Sequence, residues 1–115
     1  MKMNKETAQH YAWGEICEGW RLADRQNLSV IQERMPPHTS EKRHIHQAAR
    51  QFFFILAGQA KMELDGETVS LSAWEGVEVP PGVPHTMQNP FDEEAEFLVI
   101  SSPSTAGDRV PADNA

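Results

Sequence analysis

His44-Ile45-His46-Gln47-Ala48-Ala49-Arg50-Gln51-Phe52-Phe53-Phe54-Ile55-Leu56 joins a His-x-His pair to an apolar run through a short polar segment. On an extended backbone successive side chains alternate faces, so His44 and His46 point the same way. Two imidazoles on one face suit a first-row transition metal, because neutral histidine is its commonest protein ligand. The competing reading is a pair of solvated histidines flanked by Lys42, Arg43 and Arg50. Parity adds a second constraint. Gln51 is odd where the histidines are even, so an unbroken strand aims it away from them. A turn or bulge at Gln47–Arg50 re-aims it, and such kinks are common beside active sites. With Gln51 inward, Phe53 and Ile55 point inward too. Phe52, Phe54 and Leu56 then face out, and three large apolar side chains there call for a cover. A second subunit is the simplest one, so a homodimer is expected.

Outward from this stretch the chain reads as many short strands. Leu28 to Met35 alternates, with Leu28, Val30, Gln32 and Arg34 on one face and Ser29, Ile31, Glu33 and Met35 on the other. Pro36-Pro37 stops it, and His38 follows in a loop. Lys61–Leu64 and Glu67–Leu71 flank Asp65-Gly66, a strong hairpin signal. Val77-Glu78-Val79 is a short strand. Pro80-Pro81-Gly82-Val83-Pro84 is an ordered loop that delivers His85, because three prolines there cannot donate to a ladder. His85, Met87 and Asn89 share one face of the next strand, and Glu96–Ser101 is the last. Gly19–Ala23 reads as an edge strand, residues 1–18 as a short helix or an extended arm. Residues 102–115 read as a polar tail.

Composition places the chain among ordinary one-domain globular proteins: 115 residues, 39% hydrophobic and 23% charged. Eight prolines and seven glycines between short apolar runs favour an all-β fold rich in turns. A formal charge of −7 argues against nucleic acid and anionic membranes as partners. Cys17 is the only cysteine, so no internal disulfide forms. The N-terminus has no apolar signal core, and the longest apolar run is too short to span a bilayer. A cytoplasmic location is the expectation.

The two histidine segments together resemble the paired motifs of a small single-domain cupin, over about residues 27–101. The first motif of that family reads Gly, five residues, His-x-His, a few residues, an acid, six residues, Gly. Here it is His38, His44, His46, Gln51 and Gly58. The second reads Gly, five residues, Pro-x-Gly, two residues, His, three residues, Asn, and here it is Trp74, Pro80, Gly82, His85 and Asn89. The chain departs from the pattern at His38 and Trp74, which replace glycines, and at Gln51, which replaces Glu. The resemblance implies a double-stranded β-helix (jelly-roll) barrel whose metal ligands are His44, His46, Gln51 and His85. The ion is a divalent transition metal: Ni, Zn, Fe or Mn.

Three imidazoles and an amide oxygen carry no formal charge, so a bound divalent ion keeps its full charge and is a stronger Lewis acid. The expected function is a metal-dependent enzyme, an isomerase, lyase or dioxygenase acting on a small oxygenated or sugar-like ligand. A metal-containing binding or sensing module without turnover is the alternative, and a structural dimer that has lost its metal is the third reading. The resemblance extends to small cupins that open unsaturated uronates, which carry Asp and Phe on the final strand where this chain has Val99 and Ser101. No Gly-x-Ser-x-Gly, Walker loop or dinucleotide fingerprint is present. No carboxylate stands out as a general base.

Overall fold

The computed structural model describes residues 1–112. The strands in chain order are β1 (Gln9–Trp13), β2 (Cys17–Asp24), β3 (Ser29–Met35), β4 (Thr39–Ser40), β5 (His44–His46), β6 (Arg50–Ala57), β7 (Gln59–Leu64), β8 (Glu67–Ser72), β9 (Gly76–Val79), β10 (His85–Asn89), β11 (Ala95–Ser102) and β12 (Arg109–Pro111). One sheet runs β1-β2-β3-β11-β6-β9, the other β12-β5-β10-β7-β8, with β4 also paired to β10. The described residues contain no helix, so none is long and apolar enough to cross a membrane. The all-β double-stranded β-helix is the observed fold.

The inner faces of the two sheets make the core, from Met35, Phe53, Ile55, Met62, Leu71, Met87, Phe97 and Val99. Alternation explains why. On β3 and β11 the odd residues point in, and the register pairs Ile31 with Val99 and Glu33 with Phe97. Asp65 and Gly66 both have positive φ, 49° and 94°, the backbone a tight two-residue hairpin between β7 and β8 requires. Gly58 has φ 77°, and a Cβ there would lie 2.2 Å from the Glu94 carbonyl oxygen, so only glycine fits.

The parity conflict at Gln51 resolves through topology. β5 and β6 belong to opposite sheets, and the bend between them carries the chain across. Gln51 therefore turns inward opposite Ser101 and Val79, with Phe53 and Ile55 buried beside it. Phe52, Phe54 and Leu56 face out and are partly or fully exposed.

Both ends of the chain differ from expectation. Residues 9–24 form a hairpin, so β1 is the sheet edge and β2 lies one strand inside it. The segment read as a tail carries β12, which pairs with β5 and sets Arg109 opposite His46. Neither pairing announces itself locally, because short polar strands take their conformation from the neighbour they bond.

Candidate metal centre

His44 and His46 come from β5, and His85 from β10, where it is the direct cross-strand partner of His44. The ring centroids lie 4.8 Å apart for His44–His46, 4.4 Å for His44–His85 and 5.8 Å for His46–His85. One ring nitrogen from each falls within 4.8 Å of the others. All three residues are buried.

Hydrogen bonds set the tautomers. Nδ1 of His44 lies 2.7 Å from the Lys42 carbonyl oxygen, and Nδ1 of His85 lies 2.9 Å from that of Val83. A carbonyl only accepts, so each Nδ1 carries the proton and each Nε2 keeps a free lone pair. Nε2 of His85, Nδ1 of His46 and Oε1 of Gln51 are buried without a protein partner. Burial is the main cause that lowers the pKa of all three imidazoles, His44 to about 3 and His46 to about 4, with neighbouring charges adding to it. Neutral rings with free lone pairs, buried together, are the donor set a divalent transition ion takes. The His triad is thus positioned to bind a metal ion. Gln51 donates through Nε2 to Ser101 Oγ at 3.2 Å, and its oxygen is the atom left over.

A cavity of about 170 Å³ is lined by His44, His46 and Gln51 together with Glu33, Glu41, Val99, Ser101 and Arg109. The two carboxylates were missed in the sequence. Glu33 had a signal: it occupies the inward parity of β3, between Ile31 and Met35. A charge on the apolar face of a strand marks either a partner or a function. Glu41 lies in the loop after β4, where nothing local betrays it. Glu33 accepts a hydrogen bond from Tyr11 Oη at 3.1 Å, and Glu41 Oε1 accepts one from the Met87 amide at 2.8 Å. Both are partly exposed, and loss of hydration raises Glu33 to about 7 and Glu41 to about 8, Glu41 also feeling the charge of Glu33. Burial and Glu33 push the Tyr11 phenol up as well. Tyr11 reaches Glu33 only because its strand neighbour is Gly19, where a Cβ would meet the ring at 2.3 Å.

Asp108 was missed too. Its carboxylate accepts from the amides of Gln47, Ala48 and Ala49 at 2.9–3.1 Å, which pins β12 to the bend that re-aims Gln51. His38 stands outside the centre: it is exposed at φ 60° and paired with Asp92 at 2.9 Å. Trp74, φ 69°, is exposed at the position of the other motif glycine. Asn89 is structural, its amide donating to the carbonyls of Met35, Pro36 and Glu93.

Fold and site together define a double-stranded β-helix with a histidine triad positioned to bind a metal ion. The chain belongs to the cupin domain family (Cupin_2), whose model matches residues 31–101. Among curated proteins it is 33% identical over 69 residues to polyketide synthase CurC of Streptomyces cyaneus, covering 60% of this chain and 45% of that one. It is 29% identical over 106 residues to a mannose-1-phosphate guanylyltransferase of Salmonella montevideo, covering 87% of this chain and 22% of the relative. The chain thus spans less than half the length of both. Among solved structures, KdgF from Halomonas sp. superposes with a TM-score of 0.81 at 16% identity, covering 89% of this chain and 94% of that one. A sugar phosphate isomerase of the cupin superfamily from Silicibacter pomeroyi gives 0.80 at 18% identity, covering 90% and 76%. These two likenesses are of fold.

Proposed function

We propose that this protein is a metal-dependent enzyme that moves a proton beside the carbonyl of a small oxygenated substrate, as an isomerase or lyase does. The observation that carries this reading is the placement of Glu33 and Glu41 on the cavity that His44, His46 and Gln51 line. His44, His46, His85 and Gln51 would hold a divalent ion, which would supply Lewis acidity toward a carbonyl oxygen of the substrate. Glu41 takes the proton from the adjacent carbon, and Glu33, steadied by Tyr11, returns one. A carboxyl that titrates near neutral pH does both with little driving-force penalty. Arg109 sits at the same wall and offers a cation to an anionic substituent. Val99 and Ser101 cannot titrate as Asp does, which speaks against uronate opening.

The test is proton exchange in D₂O, followed by NMR, with metal-loaded protein and a panel of keto acids and sugars. At least one substrate should exchange its α-proton, and Glu41→Gln should slow this by roughly 10²–10⁴-fold. Substrate-dependent O₂ uptake without exchange would replace this reading with a dioxygenase. Ligand binding with neither exchange nor O₂ uptake would assign a sensing module.

A further inference from the structure

The cavity at the histidines is small, about 170 Å³, below the roughly 300–1,000 Å³ that small-molecule sites usually occupy. A second cavity of about 460 Å³ lies under the β1–β2 hairpin, and Glu41 and Arg109 line both. The hairpin contributes Trp13, Ile16 and Cys17 to the lining of this outer chamber, along with Gly14 and Glu15. The rest of its lining is polar and includes Glu41, Lys42 and Arg109.

Trp13 is partly buried against the core, with its indole N–H bonded to the Glu18 carbonyl at 3.1 Å, so its polar atom is satisfied. Ile16, at the hairpin turn, is 56% exposed. An exposed isoleucine and a tryptophan with its N–H satisfied, lining the same chamber, offer a wall for an apolar group.

We propose that the outer chamber is the second half of the substrate site and holds the apolar tail of a substrate whose oxygenated head lies at the histidines. The substrate class is therefore an amphipathic carbonyl compound: a keto or enol head bearing an aryl group. Arg109, which lines both cavities, receives the carboxylate of the head. This rests on the metal-centre reading for the direction of the head, and on the outer chamber's own residues for the tail.

Pyruvate and phenylpyruvate share one head and differ by a phenyl ring, so they test the tail alone. Calorimetric titration of the zinc-loaded protein should show phenylpyruvate binding tighter by at least roughly tenfold. Ile16→Asp, at an exposed turn, should erase that preference and leave pyruvate affinity unchanged. Trp13→Ala should do the same, with a thermal melt to show that the variant is folded. Equal affinities, a preference that survives both variants, or no binding of either acid overturns the proposal. The two readings fail separately: aryl preference without α-proton exchange sinks the catalytic reading and leaves the chamber standing. Exchange without aryl preference sinks the chamber alone.

Discussion

Gln51 holds the position where a carboxylate would neutralise part of a bound cation's charge. Its oxygen is buried without a partner, and its amide nitrogen is tied to Ser101. Gln51→Glu should tighten binding of a divalent ion by on the order of tenfold, measured by chelator competition. The same substitution should lower the melting temperature of the metal-free protein, because it buries a charge without a partner. Unchanged or weaker affinity places Gln51 outside the coordination sphere. His46→Ala should abolish metal retention and the stabilisation metal confers. Glu41 permits a test of pH dependence. Its folded pKa is raised from 4.5 to about 8, chiefly by burial and then by Glu33. The native state thus holds the proton more tightly, and the stability this contributes is full below about 4.5 and lost as pH rises toward about 8. Glu41→Gln should accordingly melt like wild type near pH 4.5 and several degrees higher near pH 8.5, both metal-free. The difference between the two proteins removes the opposing effect of the histidines, whose lowered pKa values cost stability as pH falls below 6.5. An equal gap at both pH values would show that Glu41 keeps its ordinary pKa.

Among the elements, β12 shows how little sequence a functional strand needs. Three residues pair with β5, and the clamp that holds them is Asp108 on the amides of the β5–β6 bend. Those amides hold the Asp108 carboxyl below its usual pKa, so the clamp persists to acid pH. Asp108→Ala should free the segment, with amide exchange at residues 109–111 faster by roughly tenfold. Metal retention should survive, since no histidine leaves its strand, while affinity for anionic ligands falls with the displacement of Arg109. Loss of metal in this variant would mean that the clamp also orients Gln51 or His46. The β7–β8 hairpin was legible because Asp65-Gly66 encodes its own turn, and β3 and β6 because their alternation is strong. β1 and β12 were not, since a strand of mixed polarity has no preference until its partner is in place.

At the scale of the molecule, the outer face of the first sheet stays partly bare. Phe52 is 39% exposed and Trp74 71%, and Phe54 lies between them with ring centroids at 6.3 and 6.0 Å. Leu98 and Ile100, the strand neighbours of Phe54 and Phe52, continue the patch. The N-terminal residues reach this sheet elsewhere: Lys5 bonds Glu96 at 2.8 Å and lies 4.4 Å from the Trp20 ring centroid. They leave the phenylalanines open, which supports a second copy as the cover. Phe52, Phe54 and Trp74 with Leu98 and Ile100 make one contiguous, partly exposed apolar patch, the kind of surface that marks an interaction site. Sizing at micromolar concentration should find a two-fold dimer, and Phe54→Glu a folded monomer. A wild-type protein that already runs as a monomer rejects the interface.

Spacing and alternation in the chain by themselves determined most of the strands, the shared face of His44 and His46 and the outward phenylalanines, because each is a local periodic property. The barrel and the meeting of His85 with that pair were legible only through the resemblance of the two motifs to those of cupins. Even the inward turn of Gln51 was implied, as a conflict of parity that some bend had to resolve. Only the tertiary structure decided which bend: β5 and β6 lie in opposite sheets. It alone also brought Tyr11, Glu33, Glu41, Asp108 and Arg109 to the metal centre. These residues come from four segments up to 98 positions apart. The raised pKa values of Tyr11, Glu33 and Glu41 and the lowered one of Asp108 arise from desolvation and hydrogen bonds that the closed barrel creates. A carboxylate on a strand looks the same in sequence whether it faces water or a cavity, and the packing of the two sheets tells them apart.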